Sequence, residues 1–339
     1  MRLFFLLILC LLSAWAQDPA ALSGQAEQFA REQRFDEAEK LWKQAIQISP
    51  GLFPALFNLG YFYYTQQKFA EAEPLLRRAS QASRTDFNSR YLLGVALVNL
   101  GKSENALRAW QEALEIQPRN LRLMQVMSVE YSKGRYFGEA AALAKQALEI
   151  KGDDPNIYFL AIKAYQDAGD DYAAADIAHR AVERFPNSAR ANFEYAYHLQ
   201  KRGKTAEAEQ RLKAAMAADP LYEEPPFFYG NLLVEQGRND EAVPYLEKAI
   251  KNRNDYIPAR VVLARALMNQ KKWTEAVSGL QETIALDPKH PQPHLLLSQV
   301  YFRLGQEEKA RAEKEISLRL RRENPGILEA VQSRPFGAK

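Results

Sequence analysis

The chain superimposes on itself at a shift of 34 residues, and nothing else in it restricts the fold as strongly. With residue 19 as position 1 of the first unit, position 20 is Ala38, Ala72, Ala106, Ala140, Ala174, Ala208, Ala242, Ala276 and Ala310. Position 27 is Ala45, Ala79, Ala113, Ala147, Ala181, Ala215 and Ala249, then Thr283 and Ser317. Position 8 is small in eight of nine units, Ile162 being the exception, and position 11 is always large and apolar. Proline stands at position 32 in Pro50, Pro118, Pro186, Pro220 and Pro288. The units run without a gap: 19–52, 53–86, 87–120, 121–154, 155–188, 189–222, 223–256, 257–290 and 291–324.

Positions 4, 7, 8 and 11 share one face of a helix, and positions 20, 24 and 27 share one face of a second. Small residues at 8, 20 and 27 let two backbones approach closely, and larger ones at 7, 11 and 24 fill the space between them. Glycine or a polar residue at position 15 (Gly101, Gly169, Gly203, Gly237, Gly305) ends the first helix, and proline at 32 ends the second. One such hairpin cannot bury its apolar face alone, so neighbours must stack. The 339 residues therefore form one array over 19–324, although length alone would suggest about two domains. In the unit 223–256, Pro225 and Pro226 predict a shortened or displaced first helix. In the last unit Arg311, Glu313, Lys314, Glu315 and Ser317 predict a polar capping helix, stopped by Pro325-Gly326 and followed by a tail, 325–339.

The pattern resembles the tetratricopeptide repeat family, most clearly over 87–120 with Leu93-Gly94, Leu97, Gly101, Ala106, Trp110, Ala113 and Pro118. The resemblance covers nearly the whole mature chain. It implies an all-α fold, a right-handed superhelical solenoid of nine helix-turn-helix repeats. The unbroken 34-residue register argues against the related RNA-binding pentatricopeptide proteins.

Lys+Arg total 45 against 42 Asp+Glu, a net charge of +3, which gives no reason to expect nucleic acid as a partner. At the start, Met1-Arg2, the apolar run Leu3 to Leu12 and Ala14-Trp15-Ala16 match an export signal over residues 1–16, with the mature chain starting near Gln17. That run is shorter than the roughly 20 residues a membrane span needs, so no span is expected after cleavage, and the predicted location is periplasmic or secreted. A retained anchor is the alternative. A lipoprotein is disfavoured because bulky Leu9 precedes Cys10. Cys10 is the one cysteine, so the mature protein has no thiol for disulfides, metal or catalysis.

No catalytic constellation stands out. Gly101-Lys102-Ser103 and Gly203-Lys204-Thr205 resemble the end of a phosphate loop, but its first glycine is missing and no strand precedes either. His290 and His294 have the spacing of helical metal ligands, but Pro291 and Pro293 intervene and no third ligand is apparent. Asp153-Asp154 and Asp170-Asp171 are expected to cap helices. Catalytic, metal and cofactor residues are therefore none, and the expected protein is not an enzyme.

By resemblance, positions 2, 5, 9, 12 and 13 of the first helices face a concave groove. They supply Phe57, Tyr61, Tyr64, Tyr91, Phe159, Phe193, Tyr197 and Phe227 as apolar contacts, with Lys163, Arg190, Asn231 and Arg265 as polar ones. Eight basic and four acidic residues occupy these positions. No unit pairs Lys at position 5 with Asn at 9, so the carboxylate clamp of chaperone-binding relatives is absent. The expected function is a scaffold or adaptor holding an extended protein or peptide segment with acidic and apolar residues. The alternatives are an architectural or assembly subunit of a cell-envelope complex acting through its convex face, and an enzyme with a grafted site.

Overall fold

The computed structural model describes residues 18–323, so the export signal and the tail beyond Glu323 lie outside the described residues. Within them the chain is an all-α helical repeat solenoid of 18 helices. The first helices of the units are α1 (Pro19–Arg31), α3 (Phe53–Thr65), α5 (Phe87–Asn99), α7 (Leu121–Lys133), α9 (Pro155–Asp167), α11 (Ala189–Lys201), α13 (Glu224–Glu235), α15 (Ile257–Asn269) and α17 (Pro291–Arg303). The second helices are α2 (Phe35–Ile48), α4 (Phe69–Ala82), α6 (Ser103–Ile116), α8 (Phe137–Ile150), α10 (Asp171–Arg184), α12 (Thr205–Ala218), α14 (Asn239–Asn252), α16 (Trp273–Leu286) and α18 (Glu307–Glu323). The chain divides after Ala174 into two compact units. Helix α13 spans 12 residues where the other first helices span 13, a small shortening at Pro225 and Pro226.

The turn inside each repeat is made the same way. In the third repeat Gly101 N–H donates to Val98 O at 2.9 Å, and Lys102 N–H donates to Leu97 O at 2.8 Å. This is a left-handed helix cap that satisfies two otherwise orphaned carbonyls. It requires positive φ at position 15, and all nine residues there have it. Five are glycines, and the other four are Gln33, Gln67, Arg135 and Lys271 at φ of 62°, 58°, 63° and 61°.

The small positions are where the helices touch. Position-20 alanines are fully buried in eight repeats, and Ala310 in the last is 6% exposed. All nine position-27 residues are fully buried, Thr283 and Ser317 included. Their hydroxyls donate to Gly279 O at 2.6 Å and to Pro291 O at 2.7 Å, which removes the penalty of burying them. At position 8, a β-carbon on Gly60 would meet Leu76 at 3.0 Å and one on Gly230 would meet Leu246 at 2.7 Å. The residue opposite in both cases is at position 24.

Position 4 corrects the sequence reading, which gave it to the apolar stripe. In several repeats it is a polar side chain that holds the preceding loop by its carbonyls. Arg90 donates to Ser83 O and Asp86 O, both at 3.0 Å, and Arg260 donates to Asn254 O at 3.0 Å. Asn192 reaches Pro186 O at 2.7 Å, and His294 reaches Pro288 O at 3.3 Å.

Candidate interaction surface

In the first unit, α3 is apolar nearly all round. One face, with Ala55, Leu56, Leu59 and Gly60, is buried in the array. The other carries Phe53, Phe57, Tyr61 and Tyr64, spaced so that each ring stands above the last. Phe53 and Phe57 stack at 5.7 Å, Phe57 and Tyr61 at 6.3 Å with an interplanar angle of 3°, and Tyr61 and Tyr64 at 6.3 Å. On α5, Phe87 and Tyr91 stack at 5.8 Å, and Arg122 of α7 lies 6.0 Å from the Tyr91 ring centre. Burial, with a smaller push from the nearby Tyr91 phenol, holds Tyr64 above the usual phenol range, and Arg122 opposes the shift. Tyr61 is 48% exposed, and Phe57, Tyr64 and Tyr91 are half-buried. The result is a ladder of stacked rings edged by one guanidinium, open to a ligand with apolar groups.

The other expected groove residues of this unit are less available. Phe159 is 7% exposed and belongs to the core. Lys163 is exposed but engages Asp167 one turn on, so its charge is partly satisfied within α9.

In the second unit the expected aromatic stripe is packed away. Phe193 is fully buried, edge-on to Phe228 at 5.1 Å and to Tyr222 at 5.5 Å. Phe227 is 8% exposed, with Tyr256 at 5.0 Å and Phe228 at 5.2 Å. The cause is position 34. In the first unit that position holds short capping residues: Asp86 accepts from Ser89 N–H at 2.6 Å and Asn120 accepts from Leu123 N–H at 3.0 Å. In the second unit it holds Tyr222 and Tyr256, whose rings fold over the position-5 phenylalanine of their own repeat. Phe193 and Phe227 are therefore corrected from contact residues to core residues; Phe159 is likewise a core residue, although position 34 of its repeat is the short cap Ser188.

The polar residues expected in this unit are on the surface with local partners. Arg190 lies 3.8 Å from Glu194, Asn231 donates to Glu235 at 2.8 Å, and Lys201 lies 5.8 Å from the half-buried Tyr197 ring. Arg265 is exposed on α15.

The catalytic look-alikes are used structurally. Ser103 donates to Glu130, and Lys102 lies 3.5 Å from Glu73. Asp154 and Asp170 cap helices, accepting from Asn156 N–H at 3.0 Å and Ala173 N–H at 2.9 Å. His290 accepts from Gln292 N–H at 3.3 Å as a cap, and His294 bonds Glu313 at 2.6 Å. Among the described residues no three His, Cys, Asp or Glu side chains converge as a metal site, and no helix is long and apolar enough to cross a membrane.

Tetratricopeptide repeat family models match residues 29–93 and 233–284, residues 261–325, and residues 87–120. The chain is 23% identical over 279 residues to the human protein O-mannosyl-transferase TMTC3, covering 80% of this chain and 27% of that protein. It spans about a quarter of that relative's length. A solved structure of Pseudomonas aeruginosa PilF aligns with a TM-score of 0.52 at 19% identity, covering 62% of this chain and 95% of that one. The structure of YrrB, described as a tetratricopeptide protein with an unusual peptide-binding site, aligns at a TM-score of 0.44 and 20% identity over 54% of this chain and 95% of that one.

Proposed function

Because the chain belongs to the tetratricopeptide repeat family, we propose that it is a protein-interaction scaffold that grips an extended partner segment on the aromatic ladder of α3 and α5. The observation that carries this reading is the surface placement of a stack of four rings on α3, Tyr61 exposed and the others half-buried, with a second stacked pair on α5. Stacked rings left at the surface give a partner large apolar area at little conformational cost. Tyr61, Tyr64 and Tyr91 also offer hydroxyls for a peptide backbone, and Arg122 offers one positive charge for an acidic side chain. Phe57 supports the stack from below. The signal-like residues 1–16 support a periplasmic or secreted location as part of this reading, and N-terminal sequencing of the protein should then start near Gln17.

Site-specific photo-crosslinking in the source cells tests the surface directly. A crosslinker at Tyr61 should trap one discrete partner, and one at Arg108, exposed on α6, should not. The Tyr61→Ala, Tyr91→Ala double variant should lose that adduct at a crosslinker placed at Tyr64. Adducts from Arg108 but not from Tyr61 would select the convex-face architectural role instead.

A further inference from the structure

The last helix pair carries a second surface, of a different chemistry from the ladder. Trp273 begins α16, Leu295 and Phe302 lie on α17, and Ala310 lies on α18. Together they line a concavity of about 950 Å³ whose rim carries Lys271, Arg303, Arg311 and Lys314. Glu307 is the one carboxylate in that lining. None of these four cations forms an ion pair among the described residues. Phe302 is 65% exposed in the middle of them.

The position of the concavity within the repeat says what shape fits it. In the second unit, each first helix seats on the second helix before it: Tyr229 of α13 donates to Glu209 of α12 at 2.6 Å, and Gln281 of α16 donates to Tyr301 of α17 at 3.2 Å. Those bonds reach the second helix at positions 21 and 25, which in α18 are Arg311 and Glu315, both exposed. Position 24 is buried in all eight preceding repeats, but in α18 it is Lys314, which is exposed. Position 28 is buried or half-buried in the preceding repeats, but Leu318 is 47% exposed. The face of α18 is thus shaped as a helix seat with Leu318 exposed on it, and the concavity lined by α17 and α18 sets Phe302 among Arg303, Arg311 and Lys314.

We infer that this seat binds an amphipathic helix of a partner protein, apolar along one stripe and acidic beside it. Charge complementarity with Arg303, Arg311 and Lys314 selects the sign, and the α18 face, exposed among the described residues, selects the helix. The surface lies wholly in the second unit and does not depend on the ladder of the first.

A designed helical peptide of about 15 residues, with leucine at i, i+3, i+4 and i+7 and glutamate alongside, tests this on the full chain. Its counterpart carries lysine at every glutamate. Anisotropy should show the acidic peptide bound and the basic one not, with amide exchange slowed in α17 and α18. The Arg303→Glu, Lys314→Glu variant changes only exposed side chains, so its far-ultraviolet spectrum should be unchanged. It should weaken the acidic peptide roughly tenfold or more and gain affinity for the basic one. No binding by either peptide, or binding indifferent to the charge reversal, would overturn the inference. So would binding that appears only once residues 325–339 are removed, which would make that segment the occupant. A concentration-dependent dimer lost in the variant would make the occupant a second copy, and would overturn it too.

Discussion

Gly94 and Trp110 occupy the same space divided between two helices. A β-carbon on Gly94 would lie 2.1 Å from the Trp110 indole nitrogen, and that nitrogen donates to Tyr91 O at 3.0 Å. Trp110 is 1% exposed, so it has nowhere to move. Gly94→Ala should force the indole out of its hydrogen bond and destabilise the array by about 2–3 kcal/mol. Gly279, inside α16 with nothing within 4 Å of its β-position, is the opposite case. Gly279→Ala should stabilise by about 0.5–1 kcal/mol. Urea midpoints of the two variants should move in opposite directions.

Positive φ at position 15 comes at no strain in five repeats and under strain in four. A side chain in the left-handed region costs about 1 kcal/mol, partly offset because glycine makes the unfolded chain more flexible. Gln67→Gly should therefore raise stability by roughly 0.5 kcal/mol, and Gly203→Ala, at φ 70°, should lower it by about 1 kcal/mol. Amide exchange near each substituted turn would check both signs.

Arg90 separates the value of a loop clamp from that of an ion pair. Its guanidinium is buried and meets two loop carbonyls, whereas its carboxylate partner Glu112, at 3.2 Å, is 60% exposed. Arg90→Met should remove the charged donor from Ser83 O and Asp86 O, leaving them only the longer bonds from Asp86 N–H at 3.3 Å and the Ser89 hydroxyl at 3.4 Å, and cost about 2–3 kcal/mol. Glu112→Gln should cost less than about 0.5 kcal/mol. Arg90→Lys should recover little, because one ammonium cannot reproduce the guanidinium fork. Similar losses for the two single variants would assign the role to the ion pair instead.

His290 makes the last repeat sensitive to acid. Burial holds its imidazole below the ordinary 6.5, and His294 pushes the same way against an opposing Asp287. In the unfolded chain the ring takes a proton near pH 6.5, while in the folded chain it resists. The unfolded state then binds more protons, so stability is fully present above pH 6.5 and falls as pH drops toward the folded value. The geometry agrees, because the Nδ1 that accepts from Gln292 cannot do so once protonated. Exchange in α17, corrected for intrinsic rate, should quicken between pH 7.5 and 5.5. His290→Asn keeps a capping acceptor and should flatten that part of the profile.

The helices were legible because their signals are local and repeated. Alanine at position 20, a small residue at 8 and a turn at 15 each act within one hairpin. The interaction surface was only half legible. Position 5 is aromatic in Phe57 and Tyr91 as in Phe193 and Phe227, yet the first pair reaches the surface and the second is core. What separates them is a residue at position 34, the end of the same repeat, close in space but 29 positions away in sequence. Position 34 reads as a helix cap in Asp86 and Asn120, and tyrosine there is the signal that the stripe is covered. The clamps at position 4 were missed for a similar reason. Arg90, Asn192, Arg260 and His294 look like breaks in an apolar face until the loop carbonyls they hold are in view.

That relation predicts how to uncover an aromatic surface. Tyr222 covers Phe193 from 5.5 Å, and Tyr222→Asn would give the sixth repeat the same residue that Asn120 supplies at this position in the third. Removing the ring should cost about 2–4 kcal/mol through lost burial, with the helices intact because their caps and small-residue contacts are untouched. Phe193 should then become accessible, which an apolar dye such as bis-ANS would report as increased binding at unchanged helical content. Asn120→Tyr should do the reverse in the third repeat, covering Tyr91 and reducing partner capture at the ladder. If dye binding stayed at the wild-type level in Tyr222→Asn, Phe193 would be held in the core by Phe228 alone and position 34 would not control the surface.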